Sequence, residues 1–189
     1  MGGVDKASLR LGNETLIERV VARAQPQVSE LIINANGNIA RFAKFGRPVI
    51  ADSISGFLGP LAGILSGLEW MRVNRPDLQW LATFACDCPF FPRDMVQQLL
   101  QRAGTERASV AVAASGNRHH PVFAIWNTKL PVTSEGVLGG QGSRKMADFV
   151  ARFPNTRVIF PSEPVDPFFN LNTPADLARA EGLLLGRDA

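Results

Sequence analysis

At 189 residues with 46% hydrophobic content, the chain is long enough to close one sizeable core and too apolar for a disordered protein. Its formal charge of +3 comes without a Lys/Arg cluster or basic-aromatic interleaving, which argues against nucleic acid as a partner. No apolar run approaches the roughly 18 residues of a membrane span and no export signal opens the chain, so a soluble cytoplasmic protein is expected.

In chain order, Asn13 is expected to cap a helix with Leu16, Val20 and Ala24 on one face, followed by a strand over 30–34. A helix over 39–45 leads to a strand over 48–52. A Gly/Ser/Pro-rich loop over 53–60 opens a helix over 61–71, with Pro60 suited to its first turn. The apolar run 80–85 reads as a strand, and Pro92 starts a helix to about 103. Runs 109–114 and 122–126 read as two strands joined through 116–121. Ser143 is expected to cap a helix to 152, a last strand covers 156–160, and Thr173-Pro174 starts a terminal helix bearing Leu177, Ala180 and Leu184. This alternation predicts an α/β fold: a three-layer sandwich with a mostly parallel sheet covered by helices on both faces, in one domain over 1–189.

The candidate chemistry sits where strands end or helices begin, the usual crevice of open α/β sheets. The glycine-rich start, Met1-Gly-Gly-Val-Asp-Lys6, can offer backbone N–H groups and the Lys6 charge to phosphate oxygens, or can be a surface turn. Asp87, after the run 81–86, is placed to hold Mg2+ beside a triphosphate, the competing reading being an Asx-turn before Pro89. Asp52 suits a ribose or base contact, or a turn. Asn34 likewise suits a base or sugar contact or a turn role. Asn170 and Asn172 stand on alternate positions just before a helix N-terminus, where N–H groups and dipole favour anions. Arg118, Arg144 and Lys145 are candidate phosphate contacts or plain solvated surface. His119 and His120, the only histidines, lack companions for zinc; Cys86 and Cys88, one residue apart, supply no tetrad either. Sixteen Arg against four Lys suits an anionic substrate.

Taken together, Met1-Gly-Gly-Val-Asp-Lys6, Asp52-Ser53 with Gly59-Pro-Leu-Ala-Gly63, Cys86-Asp-Cys-Pro89, Arg118-His-His-Pro121 and Asn170-Leu-Asn-Thr-Pro174 resemble the molybdenum cofactor guanylyltransferases in order and spacing. The resemblance implies a Rossmann-like nucleotidyltransferase that transfers GMP from GTP to molybdopterin with Mg2+. It implies Lys6 on the GTP phosphates, Asn34 and Asp52 on the guanine nucleotide, and Asp87 on nucleotide and metal. Asn170 and Asn172 would lie near metal and pterin, and Arg118 and His120 on the pterin side. Cys88 stands where many relatives carry Thr. A monomer is expected, with molybdoenzyme maturation proteins as further partners. That family opens with an apolar strand and Leu-Ala-Gly-Gly, and Met1 aligns with a Met beyond it. The chain as written is therefore expected to lack the first strand and half of the phosphate loop, and to be inactive. The rivals are a cytidylyl- or sugar-phosphate nucleotidyltransferase of the same fold, and an inactive pterin-binding remnant.

Overall fold

The computed structural model describes residues 6–54, 59–131 and 145–186. Its elements in chain order are β1 (Arg10–Leu11), β2 (Glu14–Thr15), α1 (Leu16–Ala24), β3 (Ile33–Asn34), β4 (Val49–Ile50), α2 (Pro60–Asn74) and β5 (Trp80–Thr83). There follow α3 (Met95–Glu106), β6 (Val110–Ser115), β7 (Arg118–Asn127), α4 (Met146–Val150), β8 (Asn155–Phe160) and α5 (Pro174–Leu185).

Alternation along the longest strands decides the layering, because successive side chains leave opposite faces of a sheet. Ala111 and Ala113 of β6 and Phe123 and Ile125 of β7 share one core with Val20 and Ala24 of α1 and Met95, Leu99 and Ala103 of α3. The intervening Val110, Val112, Ala124 and Trp126 share a second with Ile64, Leu65 and Leu68 of α2 and Phe149 and Val150 of α4. The result is the α/β sandwich that the sequence implies. A third cluster of Leu11, Leu16, Phe90, Leu171 and Ala180 ties α5 to the β1–β2 hairpin and to the loop after β5.

The main sheet has the order β5-β7-β6-β8, with β6 and β8 parallel and β7 antiparallel to both of its neighbours. Three of the four strands therefore run one way, with β7 alone reversed. β3 and β4 form a separate parallel pair.

Several boundaries move for identifiable reasons. The cap of α1 is Thr15, not Asn13: residues 12 and 13 are used in the β1–β2 turn, and Thr15 with Glu18 makes a reciprocal capping box. The helix over 39–45 is a 3-10 helix, capped by Asn38. The hairpin before Asn127 is tighter than expected, turning at Gly116-Asn117 with Gly116 at φ 51° and a register shift at Val112/Ala113. α3 starts at Met95, three residues beyond Pro92. The helix expected after Ser143 spans Met146–Val150, while Ser143 and Arg144 lie outside the described residues. At α5 the Thr173 cap is present, its hydroxyl accepting from Asp176 N–H.

Between the two sheets lies a slot. Among the described residues, β5 is an edge strand of the larger sheet and β3 pairs only with β4 in the smaller one. A cavity of about 540 Å³ separates them, lined by Ile33 and Leu81 from the strands, Val20 and Ala24 of α1, and Ile64 and Gly67 of α2. Helices from both outer layers thus cover a gap in the middle layer. This explains why the strand expected over 30–34 is regular only at Ile33–Asn34: it has a partner along one edge.

Candidate active site

Residues far apart in sequence meet just past the end of β5. The Lys6 ammonium lies 2.9 Å from Asp87 Oδ2 and also donates to Asn172 Oδ1. Asp87 is held from behind, because its carbonyl accepts from Leu171 N–H at 2.9 Å, which brings the stretch before α5 alongside the loop after β5. The next residue, Cys88, is fully buried, and its thiol donates to Asn170 Oδ1 at 2.7 Å. Burial, and then the Asp87 charge, push that thiol well above the ordinary cysteine value, so it stays protonated. Four of the expected site residues, Lys6, Asp87, Asn170 and Asn172, are therefore one cluster. The Asx-turn reading of Asp87 leaves its ion pair with a residue 81 positions away unexplained.

An ammonium has three N–H donors, and Lys6 commits two here, leaving one for a ligand oxygen. With side-chain exposures of 36% for Lys6 and 17% for Asp87, the pair is reachable from solvent.

Asn34 and Asp52 form a second cluster at the ends of β3 and β4. Asn34 Nδ2 donates to Asp52 Oδ1 at 3.1 Å. Asn36, to which no role was given from sequence, donates from Nδ2 to Asp52 Oδ2 at 2.7 Å and accepts from Asp52 N–H at 3.0 Å. The first turns of α2 press against this group. A Cβ on Gly63 would lie 2.5 Å from Asn34 Oδ1 and 3.9 Å from Asp52 Oδ1, so only glycine permits the approach. One turn on, the buried Ser66 hydroxyl accepts from Ser53 N–H at 2.8 Å and donates to Ala62 O, tying the loop after Asp52 to the helix. The sequence marks Gly59-Pro-Leu-Ala-Gly63 as a segment favouring guanine, but not that Gly63 makes room for Asn34. The available signal was small residues at Gly63, Ser66 and Gly67, spaced along one helix face. The slot between the sheets is lined by Asn34 and Gly63 beside the second cluster, and by Cys86, the residue before Asp87.

His120 and Arg118 belong to neither. His120 is buried, 2.7 Å from Ser115 Oγ and stacked on Phe168 at 4.6 Å. Burial lowers its pKa below the ordinary histidine value, against the opposing pull of Asp166. Through Phe168 it supports the 166–172 stretch that carries the two asparagines. Arg118 is exposed at the start of β7. Among the described residues no group of three or more His, Cys, Asp and Glu could cage a metal ion. The glycines of the expected phosphate loop and residues 55–58 lie outside the described residues.

Residues 1–154 match the MobA-like NTP transferase domain. A molybdenum cofactor guanylyltransferase of Rhodopseudomonas palustris (strain BisB5) is 47% identical over 185 residues, 98% of this chain and 88% of that protein. The chain belongs to the molybdenum cofactor guanylyltransferase family. Its fold is shared by the molybdopterin-guanine dinucleotide biosynthesis protein A of Archaeoglobus fulgidus, at TM-score 0.74 and 22% identity over 97% of this chain and 92% of that one. It is also shared by a Mycobacterium tuberculosis protein solved with manganese, at TM-score 0.63 and 13% identity over 95% and 93%. Open α/β sheets take their ligands beyond the carboxyl ends of the strands, where both polar clusters lie. No helix among the described residues is long and apolar enough to cross a membrane.

Proposed function

We propose that this protein transfers GMP from GTP to molybdopterin, releasing pyrophosphate, with the nucleotide on the Asn34–Asp52 cluster and the reacting phosphates at the Lys6–Asp87 cluster. The observation that carries the reading is the convergence of Lys6, Asp87, Asn170 and Asn172, from both ends and the middle of the chain, around one solvent-reachable carboxylate. The acceptor's terminal phosphate is already ionised, so no general base is needed. The protein's work is to hold two phosphates in line and to offset their charge.

Lys6 donates its remaining N–H to the triphosphate and stabilises charge on the leaving pyrophosphate. Asn34, Asn36 and Asp52 hold one another by hydrogen bonds, which preorganises their polar edges for a base and ribose. Arg118 and His120 are kept as the pterin side of the reading, Arg118 as an exposed cation and His120 as the support of the Phe168 loop. The donor set fits Mg2+: this ion is commonly held by one or two carboxylates, waters and substrate phosphates rather than by a protein cage, and Asp87 supplies one carboxylate. Bound there, the ion would offset charge on the transferring phosphoryl group.

The test is a nucleotide panel with pyrophosphate detection in the presence of molybdopterin. GTP should be turned over and ATP and CTP strongly disfavoured, since a site built to hydrogen-bond one base edge rejects others. Equal turnover of ATP and GTP would sink the guanylyl reading.

We propose also that the described elements form one nucleotidyltransferase domain whose sheet is completed, in the slot between β3 and β5, by the apolar strand with which the family opens. Two strand edges flanking an apolar gap covered by helices on both sides support it. With such a strand in place, hydrogen exchange at Ile33–Asn34 and Trp80–Thr83 should be as slow as in β6. Exchange typical of free edges along both strands would refute this.

A further inference from the structure

Asn170 and Asn172 lie two residues apart before α5, both exposed, and each has its carboxamide oxygen already engaged by a donor from within the protein. Asn172 Oδ1 accepts from Lys6. Asn170 Oδ1 accepts from Cys88 Sγ at 2.7 Å. A primary amide is planar, with its oxygen and its NH2 on opposite edges, so a bond that fixes Oδ1 also fixes where the two N–H donors point.

The Cys88 thiol has one proton and three acceptors in reach: Asn170 Oδ1 at 2.7 Å, the Phe168 carbonyl at 3.6 Å and Asp87 Oδ1 at 3.7 Å. The Asn170 oxygen is much the nearest. Cys88 is fully buried, so water does not compete for the bond. Pro89 follows Cys88, and the Leu171 N–H to Asp87 carbonyl bond clamps the two segments together, so the donor stays where the amide needs it.

We propose that Cys88 is a positioning residue whose S–H holds the Asn170 amide with its N–H2 edge outward, offering a donor rather than an acceptor to the acceptor phosphate beside Asp87. This rests on the reading that an anionic acceptor is bound at that cluster. An amide free to rotate would spend part of its time presenting Oδ1, whose lone pairs repel phosphate oxygens. With Asn172 fixed in the same sense by Lys6, the segment shows two N–H2 groups on alternate residues. That donor spacing suits a phosphate. An alanine at position 88 removes the donor, whereas a serine keeps one.

The test compares wild type, Cys88→Ala and Cys88→Ser by the NMR signals of the Asn170 side-chain amide during titration with inorganic pyrophosphate, and by steady-state kinetics in molybdopterin. In wild type and Cys88→Ser the Asn170 amide protons should shift on adding pyrophosphate. In Cys88→Ala that response should be lost, and KM for molybdopterin should rise about tenfold with kcat little changed, the size expected for one hydrogen bond to an anion. Retention of both response and KM in Cys88→Ala would overturn the proposal. So would a Cys88→Ser variant as impaired as alanine, because the contact would then be packing, or a wild-type amide that ignores pyrophosphate. If the amide pattern holds across the variants but none turns over molybdopterin, the positioning role stands and the reaction assigned above falls.

Discussion

Replacing Gly63 by alanine separates a helix effect from a site effect within one methyl group. The new Cβ would lie 2.5 Å from Asn34 Oδ1, well inside any real contact. Two responses are open: α2 retreats, or the Asn34 side chain swings away. Retreat would expose Leu61, Ile64, Leu65 and Leu68, all now 2% exposed or less, at a cost of several kcal/mol. The side chain therefore gives way, and with it goes the 3.1 Å bond from Asn34 to Asp52. Alanine in a helix interior gains about 1 kcal/mol over glycine, and one lost hydrogen bond costs about the same. Stability should stay within about 1 kcal/mol of wild type, a melting shift of only a few degrees.

Nucleotide binding should not be spared. With the nucleotide placed against Asn34 and Asp52 as proposed, misplacing that amide and carboxylate should remove about 1.5–3 kcal/mol of binding, so KM for GTP should rise roughly ten- to a hundredfold. Gly182→Ala in α5 is the control, since its Cβ meets nothing within 4 Å. That change should stabilise by up to about 1 kcal/mol and leave the GTP KM alone. Thermal melts with steady-state kinetics at saturating molybdopterin read both effects. A Gly63→Ala enzyme with unchanged GTP KM would refute the placement of the nucleotide against Asn34 and Asp52.

Asp87→Asn should reduce transfer by orders of magnitude while the protein stays folded, because its ion pair with Lys6 is partly solvent-exposed and worth at most about 1 kcal/mol; near-normal rates in a folded variant would remove Asp87 from the mechanism. Glu18 is held down to about 2 by the hydrogen bond from Lys44 and by the capping bonds at Thr15. Since folding lowers this carboxyl from its ordinary 4.5, its contribution is complete above that value and is lost as pH falls toward about 2. An acid series of thermal melts should therefore show a shallower decline for Glu18→Gln than for wild type, and equal slopes would exclude the cap as a source of acid sensitivity.

The sequence by itself determined the order of the longer helices and strands, though not the short β1–β2 hairpin, because periodicity and end signals are local. Short apolar runs mark β6 and the second half of β7, and Pro60 and Thr173-Pro174 mark helix starts whatever lies around them. It also supplied Lys6, Asp87, Asn170 and Asn172 as candidates, each read from its place beside a strand end or helix start. That these four meet was not legible, since the meeting depends on the Leu171 N–H reaching the Asp87 carbonyl across 84 residues. The Thr15 cap, Asn36 and the buried end of His120 were misread or missed because each is fixed by a partner chosen in three dimensions. Thr15 is free to cap only once residues 12 and 13 are taken by a turn, and His120 points inward because Ser115 and Phe168 receive it there. Gly63 shows the division most plainly: the sequence displays a glycine where a helix would prefer alanine, and only the packing of α2 against Asn34 gives the reason, a 2.5 Å approach that no side chain could share.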